Sequence, residues 1–447
     1  MPHQFHVLAH IQFVPALMSL SLFILVALIA LTLIFGRIYC SVICPMGVFQ
    51  DIVNRMSKKT ARRKKRFRFS PAKNILRWTV LAVTTVTFLC GFTAILGLLD
   101  PYSAFGRIMT NVFKPVYMTG NNLLESVFSQ SGNYTFYQVD ASLISMSSCM
   151  IGLLTFLLIG FLAWKHGRTW CNTICPVGTL LGFVSRFSLF KIRIDENKCT
   201  HCMVCGTQCK ASCIDSRNQR IDYTRCVDCF DSCKEGALTY SLPSASLKKH
   251  TGDNDQPEVP ADTSKRRFLT IGLAATAASG AMAQARNKWG AGMGGQRNGQ
   301  RKQRTPITPP GSVSLVHFQA HCTSCHLCVS KCPSHVLKPA FMEYGAAGMM
   351  QPTVYFDKGF CNFDCTVCGD VCPNGAIKPL TVEQKHLTQM GKVVFMKRYC
   401  IVHTDRTSCG ACSEHCPTQA LSMVPYRNGL TIPHVNTDIC VGCGGRG

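Results

Sequence analysis

Cysteines at short, repeated spacings are the residues of this chain that indicate chemistry. The sequence of 447 residues contains 28 cysteines, and most of them lie two or three residues from the next. Many cysteines in a short secreted chain usually form disulfides. Here the recurring pattern is C-x2-C-x2-C-x3-C, often followed by proline, which is the spacing that binds 4Fe–4S clusters. The pattern therefore predicts iron–sulfur sites in preference to disulfides or isolated zinc sites.

Residues 311–447 contain three cluster motifs and the start of a fourth. The three motifs are Cys322, Cys325, Cys328 and Cys332; Cys361, Cys365, Cys368 and Cys372; and Cys400, Cys409, Cys412 and Cys416. A final pair, Cys440 and Cys443, begins a motif that the sequence does not finish. Either this segment is incomplete at its C-terminus, or a fourth distal cluster is absent and the pair is able to exchange into one of the three clusters.

The first of these motifs has a competing interpretation. Cys322-x2-Cys325-His326 also spells a c-type haem attachment. A haem would leave Cys328 and Cys332 without a role, whereas a cluster uses all four cysteines, so we favour the cluster. We expect the histidines that lie among the motifs to be exposed loop residues; these are His201, His326 and His415.

Residues 195–240 contain eight cysteines, which is enough for two clusters. Their second half is irregular, because Tyr223 stands where a first cysteine is expected. In two-cluster ferredoxins the fourth cysteine of each motif ligates the other cluster. By that rule we predict one cluster on Cys199, Cys202, Cys205 and Cys233, and a second on Cys209, Cys213, Cys226 and Cys229.

A further cysteine pattern occurs twice near the N-terminus. "GRIYCSVICPMGVFQDIVNRMS" (36–57) and "GRTWCNTICPVGTLLGFVSRFS" (167–188) are identical or similar at eleven positions, including both cysteines and the following proline. Each copy supplies half of a four-thiolate site. Either Cys40 and Cys44 join Cys171 and Cys175 to bind one cofactor, a cluster, or each C-P turn only shapes a helix end.

Long apolar stretches flank these repeats and predict the architecture. Residues 13–36, 78–99 and 141–164 contain no charged side chain, and about 20 apolar residues suffice to cross a bilayer. Ten Lys and Arg without an acidic residue between 55 and 73 predict a cytoplasmic loop. We therefore predict an α-helical membrane domain with three spans over residues 1–194, followed by two α+β ferredoxin-like 4Fe–4S domains at 195–240 and 311–447.

The segment between the two cysteine-rich regions predicts export. Residues 241–310 read as a linker, and within it "SKRRFLTIGLAATAASGAMAQA" (264–285) is similar to a twin-arginine export signal or anchor. We therefore expect a multi-pass protein of the bacterial inner membrane, with the first ferredoxin domain cytoplasmic and the distal one periplasmic. The alternative is an Ala-rich helix in a chain whose clusters are all cytoplasmic.

The formal net charge of +24 does not indicate nucleic-acid binding. A cubane held by four thiolates carries a charge of roughly −2, so five or six clusters offset about half of the excess. Much of the remainder lies in the basic loop at 55–73, and no RNA- or DNA-binding module is recognisable.

Together these motifs resemble the polyferredoxin family of membrane quinol dehydrogenases. The doubled C-x3-C-P and the following two-cluster segment are similar to the membrane subunit that serves periplasmic nitrate reductase. The part from residue 264 onward resembles the exported multi-cluster ferredoxin subunit of that system. Those relatives have four spans where we count three, and here the last distal motif is incomplete.

The resemblance implies an electron carrier with five or six 4Fe–4S clusters and a quinone. It would take electrons from membrane quinol, or from a cytoplasmic donor, to a redox partner such as a reductase or cytochrome. Whether it is itself a quinol dehydrogenase-type oxidoreductase stays open. The alternative is an assembly factor that reduces a metal or thiol during biogenesis of a respiratory complex.

Overall fold

Helices account for most of the N-terminal residues that the computed structural model describes. The structure describes residues 8–60, 73–130, 135–139, 146–195, 198–209, 211, 214–215, 220–221, 233, 235–241, 306–357 and 359–445. The twin-arginine-like sequence at 264–285, nearly all of the linker at 241–310 and most of the basic loop at 55–73 lie outside these residues.

Ten α-helices whose bounds lie within the described residues precede the first strand. They are α1 (Phe13–Met18), α2 (Leu22–Phe35), α3 (Pro45–Thr60), α4 (Asn74–Leu89), α5 (Thr93–Leu99), α6 (Pro101–Ile108), α7 (Lys114–Ser129), α8 (Met146–His166), α9 (Thr169–Thr173) and α10 (Pro176–Val184). Two five-residue π-helical turns, Tyr39–Ile43 and Met109–Phe113, lead into α3 and α7. A single apolar core joins most of these helices and includes Cys44, Cys171 and Cys175.

The first predicted span, 13–36, is two helices rather than one. Leu20 between them has a left-handed backbone with φ of 55°. The amide of Ser21 bonds back to Ala16 and that of Leu20 to Leu17, which is the Schellman geometry that ends a helix. Leucine rarely adopts this conformation, so the apolar composition of the segment does not predict the break.

The second predicted span, 78–99, ends in the same way. Gly91 has φ of 86°, its amide bonds to Phe88, and the amide of Phe92 bonds to Thr87. The Schellman geometry therefore separates α4 from α5, and here the glycine was a visible cue.

The prediction of a three-span membrane domain is wrong. In the part of the chain that the structure describes, one helix is long and apolar enough to cross a membrane, α8, with 21 residues. Helices α2 and α4 are apolar but have only 14 and 16 residues.

The prediction of two α+β ferredoxin-like domains is also wrong. The described strands form four separate antiparallel pairs and no larger sheet. They are β1 (Lys191–Ile194) with β4 (Leu238–Ser241), β2 (Ile214–Asp215) with β3 (Arg220–Ile221), β5 (Leu337–Pro339) with β6 (Pro352–Val354), and β7 (Leu421–Pro425) with β8 (Thr431–Val435). The strands have only two to five residues, and most of the apolar side chains that they bury share small cores with cysteines of the motifs.

Short helices position the cysteines in the two cysteine-rich segments. They are α11 (Val204–Gln208), α12 (Leu315–His321), α13 (Leu327–Lys331), α14 (Val367–Asp370), α15 (Val382–Leu387), α16 (Ile401–Thr404) and α17 (Ala411–Glu414). The segment after residue 305 has its own apolar core around Phe318, to which Cys328 and Cys332 belong. Beside β1 and β4, a smaller core contains Ile214 and Cys209.

Candidate iron–sulfur sites

The two C-x3-C-P repeats converge on one buried place, which we call the four-cysteine site (Cys40, Cys44, Cys171 and Cys175). Cys44, Cys171 and Cys175 are 3%, 5% and 3% exposed, and Cys40 packs against the same core. The thiols are close enough to repel one another when ionised, within each repeat and between the repeats. The structure thus brings the two half-sites together.

Two helix N-termini point at this site. Pro45 and Pro176 begin α3 and α10, and proline suits a first helical turn because no amide partner is needed there. The cysteine before Pro176 caps α10, since Cys175 Sγ accepts a hydrogen bond from the amide of Gly178 at 3.3 Å. A helix N-terminus favours a thiolate over a thiol.

The glycine two residues after each proline is required by a close approach. A Cβ on Gly47 would lie 2.0 Å from the carbonyl oxygen of Cys40, and one on Gly178 would lie 2.3 Å from that of Cys171. Any side chain would therefore push the first cysteine of a repeat away from the second. This explains why glycine is among the positions that the two repeats share.

The arginine of each repeat reaches across to the other repeat. Arg37 Nη2 donates to the carbonyl oxygen of Cys171 at 3.4 Å and approaches Cys40 Sγ at 3.9 Å. Arg168 forms a two-pronged ion pair with Asp51 and donates to Ser41 Oγ at 2.7 Å. Both arginines are buried. They join the half-sites and place positive charge beside the thiols.

Burial raises the pKa of Cys44, Cys171 and Cys175, that of Cys171 to about 11, and repulsion between the thiols adds to the rise. Hydrogen bonds to sulfur act in the opposite direction, including one from Gln50 Nε2 to Cys171 Sγ at 3.2 Å. Four thiolates at one buried place therefore need a bound cation to balance them. Four cysteines, N–H donors aimed at sulfur and two arginines fit a 4Fe–4S cluster.

A second group of cysteines surrounds a cavity of about 430 Å³ in the proximal segment. Cys199, Cys202, Cys205 and Cys233 line it together, as the crossing rule assigns them. His201 and Met203, with φ of 52° and 59°, turn the loop that carries the first three of these cysteines. Cys209 is buried in the small core with Ile214, while Cys213, Cys226 and Cys229 lie outside the described residues.

The distal segment has two cavities, each lined by cysteines from both of its first two motifs. Cys322, Cys325 and Cys328 share one cavity with Cys372. Cys332 shares the other with Cys361, Cys365 and Cys368. The fourth cysteine of each motif therefore crosses to the other site, which is the arrangement of two-cluster ferredoxins. We call these places the first and the second distal site.

The cysteines of the third distal motif are less buried than those of the first distal site. Cys412 interacts electrostatically with Cys409 and Cys400, whereas the pKa of Cys416 is lowered by hydrogen bonds from Thr418 and neighbouring amides. The terminal pair packs against the second motif, because the carbonyl oxygen of Cys443 accepts from the amide of Cys361 at 2.9 Å.

The expectation that His326 is an exposed loop residue is wrong. It is 1% exposed, its Nε2 pairs with the carbonyl oxygen of Met350 at 2.9 Å and its Nδ1 with Asn111 Nδ2 at 3.3 Å. Burial lowers its pKa to about 4, so the ring is neutral, donates to Met350 and accepts from Asn111. His201 and His415 are exposed.

No group of three or more His, Cys, Asp or Glu side chains in the described ranges has the geometry to hold a single metal ion.

Comparison with known proteins indicates which cofactor the cysteines would bind. The profile of the 4Fe-4S binding domain family matches residues 17–66 and 148–195, and each range contains one C-x3-C-P repeat. The putative electron transport protein YccM of Escherichia coli K12 is 28% identical over 240 residues, which are 53% of this chain and 59% of that protein. The ferredoxin-type protein NapF of the same strain is 29% identical over 144 residues, 32% of this chain and 79% of NapF.

The chain thus contains two matches to a 4Fe-4S binding domain and is similar to ferredoxin-type and electron-transport proteins. An uncharacterized protein of Methanocaldococcus jannaschii is 38% identical over 98 residues, 22% of this chain and 39% of that protein. The chain thus spans less than two thirds of the length of this relative and of YccM. No solved structure matches it.

Sequence reasoning missed several groups that complete these sites. The repeated Gly-Arg was visible, but not that Arg37 and Arg168 cross between the repeats. Gln50 lies in only one repeat, so the alignment gave no cue to it. Lys385, which donates to Cys361 at the second distal site, lies far from any motif.

Proposed function

We propose that this chain is a membrane-attached electron conduit, which accepts electrons from a membrane quinol and passes them through 4Fe–4S clusters to a respiratory reductase or cytochrome. The four-cysteine site is the observation that carries the proposal. Two repeats separated by more than a hundred residues place their thiols in one core, and the 4Fe-4S profile matches both repeats. The cysteine-lined cavities further along the chain extend the route.

The residues of the four-cysteine site would hold a cluster and tune it. A bound cluster supplies one-electron acceptance and donation. The four thiolates hold it, while Gln50 and the amide of Gly178 donate to sulfur and the two arginines offset its negative charge. Hydrogen bonds to sulfur and nearby positive charge both favour the reduced form, so they raise its potential.

Helix α8 supports attachment to the membrane. Its 21 residues span about 30 Å, the thickness of the hydrocarbon core. Only 22% of its most apolar stretch is buried inside the protein, whereas a core helix of a water-soluble protein would be mostly covered. The second repeat, with Cys171 and Cys175, follows α8 directly, so its half of the site would lie at the bilayer edge, near the headgroup of a quinol.

The ends of α8 support a placement across the inner membrane. Its C-terminal end carries Lys165 and contacts α3, where Ser57 Oγ donates to the carbonyl oxygen of Trp164 at 3.1 Å. Its N-terminal end contacts the distal segment, with Ser148 Oγ 3.7 Å from Met350 Sδ. Positively charged ends face the cytoplasm, so the distal segment would be periplasmic and the proximal segment cytoplasmic.

A titration with quinol tests the proposal. The purified, cluster-loaded protein is mixed with a soluble quinol under anaerobic conditions, and cluster reduction is followed by EPR. We expect reduction that Cys171→Ser abolishes or slows at least tenfold, together with the loss of about four iron atoms per chain. Cys90→Ser is the control, because Cys90 is an exposed thiol outside the sites.

The outcomes of this titration are distinct. Reduction by dithionite but not by quinol would exclude a quinol donor while leaving the electron-transfer role intact. Unchanged iron content in Cys171→Ser would show that the two repeats do not form a cluster site. Reduction of an added metal ion or disulfide in preference to a protein acceptor would favour the assembly-factor alternative.

A further inference from the structure

Helices α5 and α6 meet the loop of the first distal site at van der Waals distance. A Cβ on Gly97 would lie 2.6 Å from the carbonyl oxygen of Thr323, and one on Gly106 would lie 2.2 Å from that of Cys325. Real Cβ atoms do not approach backbone oxygens so closely, so both positions require glycine. The backbone of the cluster loop therefore rests directly on the two helices.

Buried hydrogen bonds fix this contact. Ser103 Oγ and Thr323 Oγ1 are hydrogen-bonded to each other at 3.0 Å, and Thr93 Oγ1 donates to the carbonyl oxygen of Gln319 at 2.7 Å. Ser103, Thr323 and Thr93 are at most 1% exposed. Their hydroxyl groups would be costly to bury without these partners, so the surfaces are matched to each other.

The turn between α5 and α6 carries an opposite-charge pair that is itself buried. Asp100 caps α6 by accepting from the amide and hydroxyl of Ser103 at 2.8 and 2.7 Å. Arg107 donates to the carbonyl oxygens of Gly97 and Leu98 at 2.6 and 3.0 Å and so caps the C-terminus of α5. Both interact electrostatically with Cys325.

The other side of the same turn faces the four-cysteine site. Tyr39 is 2% exposed and immediately precedes Cys40. It interacts electrostatically with Cys40, Cys44 and Asp100. Tyr39 and Asp100 therefore lie between the four-cysteine site and the first distal site.

We propose that the α5–α6 turn, with Tyr39 and Asp100, is the route by which electrons pass between the four-cysteine site and the first distal site. Gly97 and Gly106 keep this route short enough for electron transfer, because they let the cluster loop contact the helices directly. One electron moves, the four-cysteine site is oxidised and the first distal site is reduced, and no bond forms or breaks. The inference rests on the proposed function in that both sites hold 4Fe–4S clusters.

The test compares Gly106→Ala with Gly120→Ala in the full-length, cluster-loaded protein. The added methyl group at residue 106 must displace the loop, whereas nothing lies within 4 Å of a Cβ at Gly120 in α7. We expect Gly106→Ala to increase hydrogen–deuterium exchange in residues 93–108 and 319–326. It should also slow reduction of the distal clusters by quinol at least tenfold in stopped-flow experiments, while iron content stays at the wild-type value and Gly120→Ala behaves as wild type.

Failure of this inference is distinguishable from failure of the proposed function. If quinol reduces no cluster even in the wild type, the quinol donor is wrong. If exchange increases but the distal clusters are reduced at the wild-type rate, electrons take another route. If exchange does not change, the docking contact itself is wrong. Should Gly106→Ala lose iron, Ser103→Ala, which removes the hydroxyl that bonds to both Thr323 and Asp100, answers the same questions through a smaller rate decrease.

Discussion

Lys385 is an ammonium group buried beside the second distal site. It is 1% exposed, lies in the short helix α15, donates to the thiol of Cys361 and interacts electrostatically with Cys368. Both cysteines line the same cavity. Burial of a positive charge is costly unless a negative partner is close, and a reduced cluster is such a partner.

We therefore expect Lys385→Met to lower the midpoint potential of the second distal cluster. A tenfold change in the one-electron equilibrium, about 60 mV, is the expected size, because one charge and one hydrogen bond to sulfur are lost together. Redox titration followed by EPR measures it. Lys385→Arg should keep most of the wild-type potential, and Lys392→Met, at an exposed position, should not change it.

An unchanged potential in Lys385→Met, with iron content preserved, would contradict this role and leave Lys385 as a packing residue. Loss of the cluster alone would be ambiguous, and Lys385→Gln, which keeps a donor without the charge, then separates the two contributions.

The helix breaks at Leu20 and Gly91 decide the architecture of the N-terminal part at the scale of elements. Both residues have a left-handed backbone, which costs a residue other than glycine roughly 1–2 kcal/mol. Leu20 is 83% exposed, so its side chain contributes little packing within the protein.

Exchanging the two residue types should therefore have opposite effects on stability. We expect Leu20→Gly to stabilise the folded protein by about 0.5–1 kcal/mol and Gly91→Ala to destabilise it by about 1 kcal/mol. Denaturant unfolding in detergent, followed by circular dichroism, measures both. Destabilisation by Leu20→Gly would mean that its side chain has a packing partner in the membrane or in another protein.

These elements also explain how far the sequence predicted the structure. Cysteine spacing depends on local loop geometry, so the motifs and the alignment of the two repeats pointed to thiols that the fold does bring together. The break at Leu20 depends on a backbone conformation that leucine rarely adopts, and apolar composition does not predict that conformation. Short strand pairs and the crossing of Arg37 and Arg168 depend on long-range contacts, which spacing alone does not specify.

The whole molecule places its two cysteine-rich segments against different ends of α8. At the C-terminal end, Asn172 Nδ2 donates to the carbonyl oxygen of Ala211 in the proximal segment at 3.1 Å. At the N-terminal end, the distal segment contacts Ser148 and the helices α5 and α6. The four-cysteine site lies in the core between them, so electrons that pass through all the sites would move along the length of α8.

If α8 spans the inner membrane, this arrangement separates the two segments by the bilayer. We expect alkaline phosphatase fused after residue 447 to be active, because that enzyme folds only where disulfides form, outside the cytoplasm. The same reporter fused after residue 60, at the basic end of α3, should be inactive. A fluorescent protein that folds in the cytoplasm should give the reverse pattern at both positions. Fluorescence without phosphatase activity at both fusion points would place every cluster on the cytoplasmic side. It would also require α8 to be covered by protein rather than lipid.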